Sequence, residues 1–303
     1  MRVWSVVGAA LFVAACAGSP DEASSPHFLL ERGNAFYYEV FAPGSRKPCI
    51  YLLGSIHASD QPVSLGPELE SDLARSDALV LELDPTALGE EEAGELMLRY
   101  GMLVPPERLE DQLSPETLAL LRERTAQPDF TPVERQLVEL LRPWAISMIL
   151  LEKQLAAANA PAANGVDLAF ANRAGRVGPI LPLETPDEQL HALSSLSSEV
   201  AEAQLVMAIS AAGADDFLDV QDIWRRGDEE ALALLYTADP ALAELHEVLI
   251  VARNARMADG LQELHEERPE RVLFAVVGAA HLVGEASVPD LLREAGFRVE
   301  RPR

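Results

Sequence analysis

The chain has 303 residues, with 24 Lys and Arg against 49 Asp and Glu, and a formal net charge of −25 at pH 7. Such acidity excludes nucleic-acid binding through backbone electrostatics, which needs a basic face, and it repels anionic partners while keeping the protein soluble. The cysteines are only two, Cys16 and Cys49, so a disulfide framework is also excluded if Cys16 is modified.

The chain opens with Arg2, the apolar stretch Val3–Ala15 and Cys16. The stretch is too short to span a bilayer comfortably and reads as a secretory leader. Val13-Ala14-Ala15-Cys16 resembles a bacterial lipobox, in which the chain is cut before the cysteine and the cysteine is acylated. The alternative is a plain signal peptide cut near Ala17. An acylated Cys16 anchors the chain through lipid alone, and Ala17 and Gly18 carry no retention aspartate, so the periplasmic face of the outer membrane is the expected location. Ser19–Pro26 reads as a polar tether. The expected organisation is a leader at 1–15, a lipidated tether at 16–30 and one domain over 31–303 with a helical insert at about 86–270.

Phe36–Phe41 and Cys49–Leu53 flank the turn cluster Pro43-Gly44-Ser45-Arg46 and predict a β-hairpin. Cys49, at its second strand, reads as a buried small hydrophobe. Pro67–Ser76 predicts a short helix, and Ala78–Asp84 a strand closed by Pro85. The middle of the chain is helical, over about Pro115–Arg124, Val133–Leu141, Pro143–Ala158 and Val166–Ala174, with proline at several starts. Val177–Leu183 predicts a strand. Further helices are expected at Asp187–Leu196, Glu199–Ala212, Phe217–Arg226, Asp228–Tyr236 and about Ala241–Glu267. Arg271–Val277 reads as a strand, Val288–Ala295 as a helix capped by Gly296, and Phe297–Arg301 as a last strand. The pattern predicts an α/β (α+β) fold: a mixed central sheet built from N- and C-terminal segments around a large helical insertion.

Two of these strands end alike. Tyr51–His57 and Leu273–His281 are apolar runs that stop at a glycine, Gly54 or Gly278, and deliver a histidine three residues on. Glycine lets the backbone turn or approach closely where a side chain would clash, and strand ends are where open α/β sheets hold ligands. One such histidine is commonly a hydrogen-bonded structural residue; two matched copies point to a shared site. Glu82 follows three apolar residues, and a carboxylate there is either buried against a cation, donors or a metal, or exposed on an edge strand. Two histidines and a glutamate form a common ligand set for a catalytic divalent metal. No His-Glu-x-x-His, Gly-x-Ser-x-Gly, Walker or Gly-x-Gly-x-x-Gly motif is present, which removes support from zincin, hydrolase-elbow, NTPase and dinucleotide readings. Ser55 is a weak candidate nucleophile. His27 falls in the tether, and His191, His246 and His265 in helices, where surface or interface roles are the default. Arg253-Asn254, flanked by Val251, Ala252 and Ala255, either binds a carboxylate or oxyanion or lies on a solvated helix face.

Together, Tyr51–His57, Leu79–Asp84, Gly165-Val166-Asp167, Leu183-Glu184-Thr185, Arg253-Asn254 and Val277–Glu285 with the tail through Arg301 resemble the TraB/PrgY/GumN family, whose animal members include the TIKI proteases. Ser55 stands where many members carry threonine. The resemblance implies a fold related to erythromycin esterase and the haem-binding ChaN-like proteins. It also implies a metal-dependent site of His57, Glu82 and His281, with Arg253 at a position the family also uses. On this reading the chain is an envelope metallohydrolase, peptidase-like, acting on a peptide or small molecule. His57 and His281 ligate a manganese, cobalt or zinc ion, and Glu82 is third ligand or base. Asp167 and Glu184 support the ligands, while Arg253 and Asn254 orient a carbonyl or oxyanion. The alternatives are an envelope protein that binds a peptide or haem without turnover, and a structural lipoprotein whose histidines are merely packed.

Overall fold

The two apolar runs from opposite ends of the chain lie side by side. The computed structural model describes residues 27–210, 214–238, 240 and 243–302. The expected leader and Cys16 therefore lie outside the described residues. Among the described residues eight strands are formed: β1 (Phe28–Leu30), β2 (Tyr37–Phe41), β3 (Ile50–Ser55), β4 (Val63–Leu65), β5 (Ala78–Leu81), β6 (Ile180–Pro182), β7 (Leu273–Gly278) and β8 (Arg298–Glu300). Six of them make a mixed sheet in the order β6-β5-β7-β3-β2-β8. The pairs β6–β5, β5–β7 and β7–β3 are parallel, and β3–β2 and β2–β8 are antiparallel.

Every residue of β3, β5 and β7 is buried. That is why they read as unbroken apolar runs: parallel strands covered on both faces have no solvent side to alternate toward. The β2–β3 hairpin pairs Tyr37 with Leu53 and Val40 with Ile50, and its turn uses Gly44 at φ 77°. Register aligns the three central strand ends, because Leu81 pairs with Val276 and Ser55 pairs with Gly278. β6 ends beside them, with Pro182 opposite Leu81.

Between β5 and β7 runs the helical insert. Pro115, Pro132, Pro143 and Pro186 open its helices at the first position, where a missing N–H costs nothing. Thr131 with Glu134, and Thr185 with Glu188, form reciprocal capping boxes. Among the described residues, no helix is long and apolar enough to cross a membrane.

Several local expectations are corrected. The stretch expected as tether runs into structure: Phe28–Leu30 form β1, parallel to β4, and His27 bonds to Ser64 through its Nδ1 at 2.9 Å. Three-residue strands are too short to show periodicity. A helix at Glu90–Tyr100 was not anticipated. The strand expected at Val177–Leu183 is only Ile180–Pro182, preceded by a 3-10 turn at Ala174–Arg176. The helix expected from about Ala241 is composite. It runs as α-helix over Ala243–His246, as π-helix over Glu247–Val251 and as α-helix again over Ala252–Glu267. Cys49 is a free, buried thiol, and burial pushes its pKa up.

Candidate active site at the strand ends

Four parallel strands deliver polar groups to one edge: Glu184 follows β6, Glu82 follows β5, Gly278 and His281 close β7, and His57 follows β3. Glu82 is not on an exposed edge strand. It sits one residue past β5, between two neighbouring strands, and is 4% exposed. Its Oε1 accepts the Gly278 backbone N–H at 2.7 Å, and its Oε2 accepts Arg253 Nη2 at 3.2 Å.

The two histidines are tied back through Nδ1. His57 Nδ1 donates to Asp167 Oδ2 at 2.8 Å, and Ser55 Oγ donates to Asp167 Oδ1 at 2.7 Å. Asp167 stands in the first turn of the helix Val166–Ala171, where the helix dipole favours an anion. Gly165 opens that helix because the chain at His57 presses on it: a Cβ there would lie 2.3 Å from the His57 carbonyl oxygen. Ser55 points its proton at Asp167 and not at His57 Nε2, so it lacks the base that a serine nucleophile requires. His281 Nδ1 donates to Asn254 Oδ1 at 2.6 Å. Asn254 is fixed in turn by donating Nδ2 to the Ala286 carbonyl at 2.9 Å, and Ala286 holds a left-handed φ of 53°. Both ends of the Asn254 amide are thus committed, and Asn254 supports His281 from behind.

The rings converge on Gly278. A Cβ on that glycine would lie 3.2 Å from Glu82 Oε1, 3.5 Å from His281 Cδ2 and 3.7 Å from His57 Nε2. The missing side chain is what leaves room between them. Gly54 has a different task, since its Cβ would meet Phe36 Cβ at 2.7 Å and Ala279 Cα at 3.0 Å.

Arg253 and Asn254 are adjacent on one helix yet serve two different strands. Arg253 is 6% exposed. It donates through Nε and Nη2 to Glu184, through Nη2 to Glu82 and through Nη1 to the Leu249 carbonyl within the π-helical turn. Arg256 Nη2 and Gln189 Nε2 also donate to Glu184, at 3.0 and 3.1 Å. Sequence reading had not singled out either residue, and neither has a motif to mark it.

These neighbours set the protonation states. Burial alone would lower the His57 pKa, but the Asp167 charge and hydrogen bond outweigh it and raise the value to about 9. His281 has only an amide behind it; burial dominates, Arg253 adds to it, and the value falls to about 4 despite Glu82. For Glu82, burial pushes upward, but His281, Arg253 and His57 together hold the carboxyl below its usual range. The phenol of Tyr236 is pushed up by burial and by the Glu82 charge.

Among the described residues, no group of three or more His, Cys, Asp or Glu is arranged so that it could hold a metal ion. The chemistry of the donors nonetheless fits one. His281 uses its Nδ1 proton on Asn254, so its neutral ring presents a lone pair at Nε2, and that atom faces Glu82 Oε1 at 3.3 Å. Two acceptors facing each other are satisfied by a shared cation, whether a proton or a metal ion. Imidazoles anchored by Asp167 and Asn254 have the outer-shell support that metal-ligating histidines ordinarily carry.

A small cleft opens over this edge. Its lining includes Ser55, His57, Arg253, Gly278 and His281 on the strand side, with Val220, Trp224, Leu232, Tyr236 and Ile250 opposite.

With the geometry in place, comparison with known proteins decides the kinship. The profile of the TraB/PrgY/gumN family matches residues 37–301. The chain belongs to that family. Relatives include an Escherichia coli K12 protein called uncharacterized protein YbaP, 26% identical over 277 residues that cover 86% of this chain and 95% of that one. Shorter matches join this TraB-family chain to two zebrafish (Danio rerio) proteins. Metalloprotease TIKI2 is 39% identical over 64 residues, 21% of this chain and 12% of its own length. Metalloprotease TIKI1 is 42% identical over 52 residues, 17% and 10%. No solved structure matches.

Proposed function

We propose that this TraB-family chain is a metal-dependent hydrolase of the peptidase kind, with His57, His281 and Glu82 as ligands of a divalent manganese, cobalt or zinc ion. The observation that carries the reading is the convergence of both histidine rings and Glu82 Oε1 on the space that Gly278 leaves open. The partial likeness to zebrafish proteins called metalloproteases supports it.

When bound, such an ion lowers the pKa of a water and polarises a carbonyl. The chain's own residues do the rest. Asp167 and Asn254 fix each imidazole through Nδ1 and aim Nε2 at the centre. Arg253 keeps Glu82 ionised, since it supplies a buried positive charge at 3.2 Å. A carboxyl held below its usual range is a poor base, which favours the ligand role for Glu82 over proton abstraction. Glu184 holds Arg253 in place, so its contribution is to orient the guanidinium and not to touch substrate. Arg253 lines the cleft with its Nε, Nη1 and Nη2 all donating to protein acceptors, so its part is to hold Glu82 from behind.

The leader and Cys16 carry the accompanying proposal that the protein works from a lipid anchor in the cell envelope. Metal-free protein, then protein supplied with manganese, cobalt or zinc, should be incubated with a broad peptide library. The reading predicts cleavage only with metal and its loss in His57→Ala. Metal-replete protein that cuts no peptide would overturn it.

A further inference from the structure

The two histidines of the centre are carried by backbones of different kinds. His281 rides in a 3-10 turn over Ala279–Leu282. His57 sits in the stretch Ile56–Pro62 between β3 and β4, where the chain forms neither helix nor strand. Such a stretch has no ladder of its own, so its polar backbone groups and its course depend on partners from elsewhere. One set comes from the Gly165 side. The Val166 N–H donates to the Ile56 carbonyl at 2.9 Å, and Asn164 Nδ2 donates to the Ser59 carbonyl at 3.0 Å.

A second set comes from the helix Ala214–Arg225. Gln221, Trp224 and Arg225 stand at i, i+3 and i+4, and so share one face. Trp224 Nε1 donates to the Gly54 carbonyl at 3.1 Å, ahead of His57. Beyond it, Gln221 Nε2 donates to Ser59 Oγ at 3.2 Å, and Arg225 Nη2 pairs with Asp60 Oδ1. Gln221, Ser59 and Trp224 are all buried. Phe28, from β1, closes the set. Its ring lies 5.7 Å from the Trp224 ring, and the Arg225 guanidinium stands 5.0 Å over it. β1 is itself held to the far end of the stretch, since the Phe28 N–H donates to the Pro62 carbonyl at 2.9 Å.

We propose that Gln221, Trp224 and Arg225 are positioning residues for His57: one helix face grips the chain on both sides of the histidine, and Phe28 packs against Trp224 and Arg225 to keep them there. Asp167 and this grip divide the work. Asp167 fixes the rotation of the ring through Nδ1. The helix face fixes the backbone from which the ring projects. A drift of about 1 Å in that backbone is enough to spoil a site, because it takes Nε2 away from the space beside Gly278 while the bond to Asp167 persists. The grip rests on these hydrogen bonds alone; its effect on a bound ion rests on the metal-site reading above.

The test is NMR of the imidazole protons in chelator-treated full-length protein. Trp224→Phe keeps a ring and removes the N–H; Arg225→Ala removes the pair with Asp60. Both should shift or broaden the His57 signal and leave that of His281 in place. Arg225→Lys, which can still pair with Asp60, should return the His57 signal toward its wild-type position. Phe28→Ala should move it in the same sense and by less. Should Arg225→Ala fail to fold, Asp60→Asn removes the same ion pair from the other side. A His57 signal that stays put in these variants, or equal movement of both histidines, overturns the proposal. Cobalt(II) titration follows. Arg225→Ala should bind about tenfold more weakly than wild type, the low end of what losing a supporting partner costs. Equal affinity, where wild type binds saturably, also overturns the grip on His57. Wild type that binds no cobalt sinks the metal-site reading and leaves the ring signals to decide the grip.

Discussion

The two Gly-x-x-His turns look alike in sequence and do different work. In the first, Gly54 packs against Phe36 and Ala279, and His57 is backed by a carboxylate that holds its pKa near 9. In the second, Gly278 packs against nothing so closely. It keeps a space open between Glu82, His57 and His281, and His281 is backed by an amide that leaves its pKa near 4. One ring is electron-rich and readily protonated; the other is neutral and presents a bare lone pair. A repeated motif thus marks a shared place in the fold, while the residue behind each histidine sets its chemistry.

The glycines offer the sharpest way to separate the two turns. Gly54→Ala forces a Cβ into backbone and core, and overpacking of this sort costs about 1–3 kcal/mol. Urea denaturation should show that loss. Gly278→Ala should leave the denaturation midpoint nearly unchanged and weaken metal binding instead, because its nearest obstacle is the Glu82 carboxylate at 3.2 Å. Equal destabilisation by both substitutions would mean that Gly278 is as structural as Gly54.

Exchanging the backing residues should make the turns alike. Asp167→Asn removes the charge that outweighs burial, so the His57 pKa should fall from about 9, and metal affinity should drop by about 10–100-fold, as is usual when an outer-shell partner is lost. Asn254→Asp places a carboxylate behind His281, and its pKa should climb from about 4. Both values are readable by NMR titration of the imidazole protons. A His57 value that stays put in Asp167→Asn would deny Asp167 its part.

A smaller effect follows in the pH dependence of stability. The His57 pKa is raised from 6.5 to about 9, so its pairing with Asp167 stabilises the fold fully below pH 6.5 and is lost as pH rises through 9. Asp167 is lowered from 3.8, because its ion pair and hydrogen bonds to His57 and Ser55 outweigh burial; its share is present above pH 3.8 and fades as pH falls through the folded value. In metal-free protein the stability gap between wild type and Asp167→Asn should therefore be widest near pH 6 and close above pH 9. A gap that persists unchanged beyond pH 9 would contradict the pairing.

Much of this was legible in the chain itself. β3, β5 and β7 are buried on both faces, so their apolar runs, glycines and terminal polar residues stand out, and Glu82, Arg253 and Asn254 are readable from the residues, whereas Asp167 and Glu184 enter only through the resemblance to the family. Their partners were not so plain. Asn254 was expected to meet substrate and instead spends its amide on His281 and Ala286. Val220, Trp224, Leu232, Tyr236 and Ile250, buried beside the cleft, carry no signal of their own, because apolar residues at helical spacing read simply as core. The π-helical turn before Arg253 carries no sequence signature either.

The central claim, that His57, Glu82 and His281 hold one divalent ion, is tested most directly by titrating cobalt(II) into chelator-treated protein and following its visible absorption. The account predicts saturation near one equivalent, with release of about one proton from His57 at pH 7 and loss of the signal in His281→Ala. Wild-type protein that binds no cobalt, manganese or zinc saturably, or a His281→Ala variant that binds as tightly as wild type, would contradict it.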